Sequence, residues 1–398
     1  LITKPTAKAV GYYRISAARK NNEVGHFFKL TAGEFLIYLK EEQTMKTFTK
    51  HSLLFAALII VFTGFAVNTE AQSSTPSKQT NGYRLLKKIE VGGEGGWDYL
   101  IADGDARRLY VSHATKVVVI DTDTDKVIGE IPNTNGVHGI AFAEKLGRGF
   151  ISNGRDNSVT IFDLKTLKTL GTVKVEKNPD CILYDPASNR VFAFNRGSSN
   201  VTAIEAADGK VAGTIDLGGH PEFATADGKG TVFVNLDDKS EVAVFDSQKL
   251  TVKAHWPVAP GEDPSGMAID RKTHRLFIVC GNKKMVVMDA ETGKVISDLP
   301  TGDGTDAAGF DPDTKLAFSS NGEGTLTVVR EDSKDKFSVV ENVTTQRGAR
   351  TMALDTRTHK VFLATAGFGE TPAPTAERPR PRPPILPNSF VILVFGRE

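Results

Sequence analysis

Lys126-Val127-Ile128-Gly129-Glu130-Ile131 decides the fold, because the chain returns to this pattern at a fixed interval. Arg84-Leu85-Leu86, Lys126-Val127-Ile128, Lys168-Thr169-Leu170, Lys210-Val211-Ala212 and Lys294-Val295-Ile296 start 42, 42, 42 and 84 residues apart. Thr251-Val252 stands in the longer gap, one residue early, and Lys336-Phe337 follows 42 after Lys294. Each segment opens an alternating strand. Two further columns keep step with it. An aromatic marks a second strand at Tyr110, Phe150, Phe192, Phe233, Phe277, Phe318 and Phe362. An acid closes a third strand at Asp121, Asp163, Glu205, Asp246, Asp289 and, slightly displaced, Glu331. Four short strands per ~42 residues is the period of a propeller blade, and no stretch sustains the 3.6 period of a helix.

The aromatic column counts seven blades, so the expected fold is all-β: a seven-bladed β-propeller over 83–398 with four antiparallel strands per blade. The last unit has a first strand near Thr351-Met352-Ala353-Leu354, a second at Val361-Phe362-Leu363 and a third at Phe390 to Phe395, then stops. Arg84 to Val91 reads as a fourth strand with no first three before it. It is expected to complete the last blade and so remove the free edges. A β-sandwich would not keep the period, and an open solenoid would not need its first strand to finish its last repeat.

Ahead of the repeats, Met45 opens a signal-peptide pattern: Lys46, Lys50 and His51, an apolar run from Leu53 to Val67, and small Thr69 and Ala71 before Gln72. The run is shorter than the ~20 residues that span a bilayer. Residues 45–71 are therefore read as a signal peptide cleaved near Ala71-Gln72, which places the mature chain in the periplasm or outside the cell with no membrane span. Residues 72–82 are read as a linker, and 1–44 as an upstream translation artefact or disordered extension.

The 49 basic and 48 acidic side chains leave no field to hold nucleic acid or an anionic membrane by charge alone. Cys181 and Cys280 have no metal-ligand spacing and are expected as buried free thiols about two blades apart, too far to pair. No nucleophile elbow, zinc-protease or P-loop motif occurs. Asp121-Thr122-Asp123-Thr124-Asp125 resembles the start of a calcium loop, but Lys126 and Pro132 stand where Gly and Glu are needed, so it reads as a hairpin turn.

The second strands carry a further signal in Tyr110-Val111-Ser112-His113, Phe150-Ile151-Ser152-Asn153 and Phe192-Ala193-Phe194-Asn195. By these the chain resembles the YVTN-repeat, or YncE-like, family of bacterial exported propellers, over residues 83–398. The resemblance implies the fold and export. It implies little about activity, since the family is defined by its blades. Some members are associated with single-stranded DNA, which the charge balance here disfavours. Similar blades carry haem or copper elsewhere, but this chain has no Cys-x-x-Cys-His and no histidine cluster.

In a propeller the first strands flank the central channel, and the loops between second and third strands open on the same face. The first strands open with Trp97-Asp98, His138, Asp180, Glu222, Asp263-Pro264-Ser265, Asp306 and Arg350. The loops add His113, Asn153-Gly154-Arg155, Asn195-Arg196, Asp237, Asn282-Lys283 and Asn321. Trp97, Asp98, His113, His138, Arg155, Asp180, Arg196, Glu222, Asp306 and Arg350 are the candidate ligand-binding residues of a polar funnel. Asp98, Asp180, Glu222 and Asp306 are the candidate metal-binding oxygens, with His138 or His220 as nitrogen donor. The plainer reading, strand ends meeting water, is preferred for a metal, and no cofactor is assigned. The last blade's loop, Gly367 to Asn388, interleaves seven prolines with Arg378, Arg380 and Arg382, and is read as a lid over the mouth. Together these features indicate a monomeric module binding a small molecule, peptide or protein. The rival reading is a metal-assisted hydrolase or lactonase.

Overall fold

The computed structural model describes residues 82–375 and 381–397. The signal-peptide pattern, the residues before it, all but the last linker residue, and Arg378 and Arg380 lie outside the described residues. Seven four-stranded antiparallel sheets follow one another in chain order. The protein is a seven-bladed β-propeller. Blade 1 comprises Trp97–Asp103, Arg108–His113, Lys116–Asp121 and Lys126–Ile131. The first strands of blades 2 to 6 begin at Val137, Pro179, Pro221, Pro264 and Thr305. Blade 7 runs Thr351–Asp355, Lys360–Thr365 and Val391–Gly396, and its outermost strand is Arg84–Glu90, with Lys88 opposite Leu393 and Glu90 opposite Val391. Among the described residues, helix is confined to three 3₁₀ turns at Glu144–Leu146, Arg196–Ser198 and Asp237–Lys239. No helix among them is long and apolar enough to cross a membrane.

Each recurring column has a physical task. The second-strand aromatics are buried, where they fill the space between blades. The acids closing the third strands cap the next turn: Asp121 accepts from the Thr124 N–H and hydroxyl at 2.7 and 2.9 Å, and Asp163 and Asp289 do the same for Thr166 and Thr292. The Asp121–Asp125 segment is thus a hairpin turn. Glycines carry the chain from Arg84–Glu90 into blade 1: Gly92, Gly93 and Gly95 all have positive φ, and a Cβ on Gly95 would lie 2.6 Å from that of Ala114.

Polar latches join successive blades. Arg108, Arg148, Arg190 and Arg275 each open a second strand and donate to carbonyls in the outer turn of the next blade: Leu164 at 2.5 Å, Ala206 at 3.3 Å, Ser247 at 3.1 Å and Lys334 at 2.9 Å. At the turns after the first strands, Arg107 reaches Asp355 at 3.1 Å, Lys315 reaches Asp270 at 2.9 Å and His359 reaches Asp311 at 2.7 Å. These bonds tie neighbouring sheets whose ladders share no hydrogen bonds.

Cys181 and Cys280 are free and buried. Burial pushes both thiols up to about 12, so neither is a thiolate at neutral pH. Iodoacetamide at pH 7.5 should leave both unmodified in the folded protein and alkylate both in urea, without reductant. Mass spectrometry reads the result, and a Cys181–Cys280 linked peptide would overturn the blade assignment.

Candidate functional site at the channel mouth

A repeated irregularity presents the funnel residues. The first strands of blades 1 to 5 shift register between their first and fourth residues, at Trp97/Leu100, Val137/Ile140, Pro179/Ile182, Pro221/Ala224 and Pro264/Met267. A bulge takes a residue out of the ladder and re-aims its side chain. Asp98, His138, Asp180, Glu222 and Ser265 occupy the bulged positions. Second-strand polar groups hold the bulges. Ser112 Oγ accepts from the N–H groups of Asp98 and Tyr99 at 3.2 and 2.7 Å. Ser152 takes the Gly139 N–H at 2.8 Å and donates to the Asp180 carbonyl of the next blade. Asn235 donates to the Ser265 carbonyl at 2.7 Å, and Ser320 donates to that of Arg350.

The side chains so presented converge. His138 Nδ1 lies 2.6 Å from Asp98 and 3.6 Å from Asp180. A Cβ on Gly154 would lie 2.8 Å from His138 Nε2, so glycine lets this turn pack against the imidazole. Arg196 spans Glu222, at 2.6 Å, and Asp237. Arg350 Nε lies 3.5 Å from Asp306. One position further along the first strands, Tyr99 of blade 1 and Phe223 of blade 4 stack at 5.7 Å with planes 5° apart. Gly139, Gly266 and Ala307 occupy the same position in other blades. The small residues leave room for two aromatic rings from distant blades to meet across the channel beneath the carboxylates.

The acids repel one another in a partly dry place. Burial and the Asp180, Asp306 and Asp237 charges push Glu222 up to about 8, although Arg196 opposes this. One guanidinium shared between Glu222 and Asp237 does not neutralise both. Burial also raises Asp180 and Asp306 to about 6, against the opposing charges of His138 and Arg350 respectively. Burial alone would lower His138, but the hydrogen bond to Asp98 and the charge of Asp180 outweigh it, so its pKa is raised.

Carboxyls with raised folded-state pKa values hold protons that the unfolded chain has released. They stabilise the fold fully below the unfolded pKa, near ~4, and that stability is lost as pH climbs through 6 and then 8. Glu222→Gln should therefore match the wild type at pH 5 and exceed it at pH 8.5 by on the order of 1 kcal/mol, once screening by solvent is allowed for. Thermal melts across that range measure it, and parallel pH profiles would contradict the assignment.

The remaining candidates divide. Trp97 is half-buried between Phe390 and Phe368, at 5.1 and 6.3 Å, and forms wall rather than lining. His113 is buried and stacked on Phe390 at 4.2 Å; burial lowers its pKa, and it does not line open space. Ser112 spends its hydroxyl on the bulge, so Ser112 and His113 form no nucleophile–base pair. Arg155 is exposed and packs over Gly136. His220 lies 4.0 Å from Asp237. Arg382 is exposed on the long loop, whose base is pinned by backbone bonds from Gly369 to Pro384 and from Leu386 to Gly367, both 2.9 Å. Sequence reading missed Tyr99 and Phe223. The signal was there: two aromatics in a column of otherwise mostly small residues.

No protein-family model matches the chain. The chain is 26% identical over 149 residues to the uncharacterized protein YncE of Salmonella typhi, a match covering 35% of this chain and 42% of that protein. It thus spans under half the length of that relative. Among solved structures it is similar to a chain of Kuenenia stuttgartiensis hydrazine synthase, with a TM-score of 0.59, 17% identity, and coverage of 67% of this chain and 92% of that one. A chain of the mitotic checkpoint complex gives a TM-score of 0.65 at 13% identity, covering 86% and 99%. Identities this low speak for the fold alone.

Proposed function

We propose that the protein is an exported binding module whose mouth receives a positively charged group of a peptide ligand. One observation carries the reading: Asp98, Asp180, Glu222 and Asp306 are gathered over an aromatic floor, and burial and mutual repulsion raise the proton affinity of Asp180, Glu222 and Asp306. An ammonium or guanidinium entering there replaces the protons and relieves the mutual repulsion of the acids. The rings of Tyr99 and Phe223 add favourable contact with a cation. The Gly367 to Asn388 loop starts beside Trp97, through Phe368, and the exposed Arg382 on it suits a carboxylate of the ligand.

A random peptide library passed over immobilised protein at pH 7.5 tests this. Peptides containing Lys or Arg should be enriched, and the triple variant Asp180→Asn, Glu222→Gln, Asp306→Asn should lose that enrichment. Enrichment of acidic peptides, or of none, defeats the proposal.

A second reading rests on a separate feature. One ligating atom each from Asp98, His138 and Asp180 lie within 4.8 Å of one another, a spacing that would hold a divalent ion for metal-assisted hydrolysis. Metal analysis of the purified protein separates the two: a stoichiometric ion lost in His138→Ala favours the hydrolase.

A further inference from the structure

The arginine latch that opens second strands is interrupted in blade 4, where Thr231 stands in its place. In blades 1, 2, 3 and 5 the arginine crosses to the outer turn of the next blade. Blade 6 has Leu316 there, but Tyr83 packs edge-on against Phe318 at 5.0 Å and bonds the His359 carbonyl at 2.9 Å, bridging blades 6 and 7. Between blades 4 and 5 a cavity of about 610 Å³ remains, with Thr231 in its wall. It lies at the far end of the first strands from the funnel mouth, bounded by the turns after the first strands of both blades.

The lining has two characters. Phe233, Trp256 and Ile269 give it an apolar floor, with the two rings 6.0 Å apart. Gly293 makes the placing of Trp256 possible, since a Cβ there would lie 2.3 Å from the indole. Lys229, Lys253 and Arg271 give it cations. The acids beside them are already engaged. The Asp227 carboxylate takes the Lys229 and Thr231 N–H groups at 2.7 and 2.9 Å, and Glu291 holds His274 at 2.6 Å. Arg271 bonds the Ala226 carbonyl through Nε, and no described carboxylate pairs with it or with Lys229. Lys253 meets Asp246 only at 3.4 Å.

We propose that the cavity between blades 4 and 5, opened by Thr231 in place of the latch arginine, is a second binding site that takes a small hydrophobic carboxylate. Its apolar body lies on Phe233 and Trp256 and its carboxylate meets Lys229 and Arg271. The volume falls within the ~300–1,000 Å³ of small-molecule pockets, and paired cations at an apolar cleft favour an anion that water solvates poorly at its other end.

Decanoate is the probe, titrated by calorimetry and by Trp256 fluorescence. Saturable binding at one site per chain is expected, with the fluorescence change lost in Trp256→Phe. Lys229→Ala with Arg271→Ala should weaken binding by roughly tenfold or more, and decanol should bind the wild type weaker by a similar factor. Thr231→Arg should restore the latch toward the Ala290 carbonyl, fill the cavity and abolish binding with the melting temperature held or raised. No saturable binding to the wild type, equal binding of decanol, or full binding by a folded Thr231→Arg would overturn the proposal. Should Thr231→Arg fail to fold, the Lys229/Arg271 double variant, on exposed side chains, decides alone. The triple funnel variant should bind decanoate normally, which separates this site from the mouth.

Discussion

Removing Arg84–Glu90 is expected to lower stability by several kcal/mol and to make the protein self-associate. The strand pairs along Val391–Gly396, all six of whose residues are buried, and packs Ile89 against Phe390 and Ile392. Without it, the Val391-Ile392-Leu393-Val394-Phe395 edge carries no charge and no proline to discourage pairing with a second chain. The loss combines the burial of Ile89 and half-buried Leu86 with the ladder hydrogen bonds. Calorimetry and size-exclusion chromatography of the deletion measure both effects. A synthetic peptide of residues 84–91 added in trans should restore part of the melting temperature. An unchanged, monodisperse deletion variant would show that the blade closes otherwise.

Arg275→Met should cost about 3–5 kcal/mol, the range for breaking a buried charge pair from one side. Arg275 is 1% exposed, yet it serves Asp289 at 2.7 Å and the carbonyls of Lys334, Thr273 and His274 at 2.9 to 3.2 Å. Methionine fills much of the volume but leaves Asp289 mostly buried beside carbonyls without donors. Its contact with Asp335 adds little, since that carboxylate is exposed. Arg275→Lys should fall between, because one ammonium cannot reproduce the fork of donors. Urea unfolding gives the comparison, and a loss under about 1 kcal/mol for methionine would remove the latch from the list of stabilising contacts.

These two sites were unequally visible beforehand. The closing strand was read from Arg84-Leu85-Leu86 lying in phase with Lys126-Val127-Ile128, because a strand's partner in a repeat is implied by the repeat itself. The latch was not read. Arg108, Arg148 and Arg190 are spaced 40 and 42 residues apart, close to the blade period, but an arginine at a strand end looks in sequence like any solvated strand end. Only the approach of the next blade's turn supplies the carbonyls to which it donates.

The candidate site divides in the same way. Asp98, His138, Asp180, Glu222, Asp306 and Arg350 were legible, since each stands at or beside the start of a first strand, 11 or 12 residues before the aromatic column. His113 was placed by its position at the end of a second strand, beside the loop, but that column is buried throughout, at His113, Asn153 and Asn195, and Phe390 stacks on His113.

From sequence alone, then, come the all-β class, the blade period and its count, and the turn-capping acids. All of these depend on contacts within one repeat, whose hydrogen-bond and burial pattern is written in consecutive residues. Tertiary structure alone decided that Tyr99 meets Phe223, that Arg196 is shared between Glu222 and Asp237, that Asp180, Glu222 and Asp306 hold protons above their ordinary range, and that Thr231 leaves a cavity. Each depends on how far apart the ring sets groups that lie tens or hundreds of residues apart, and burial and charge act through that distance.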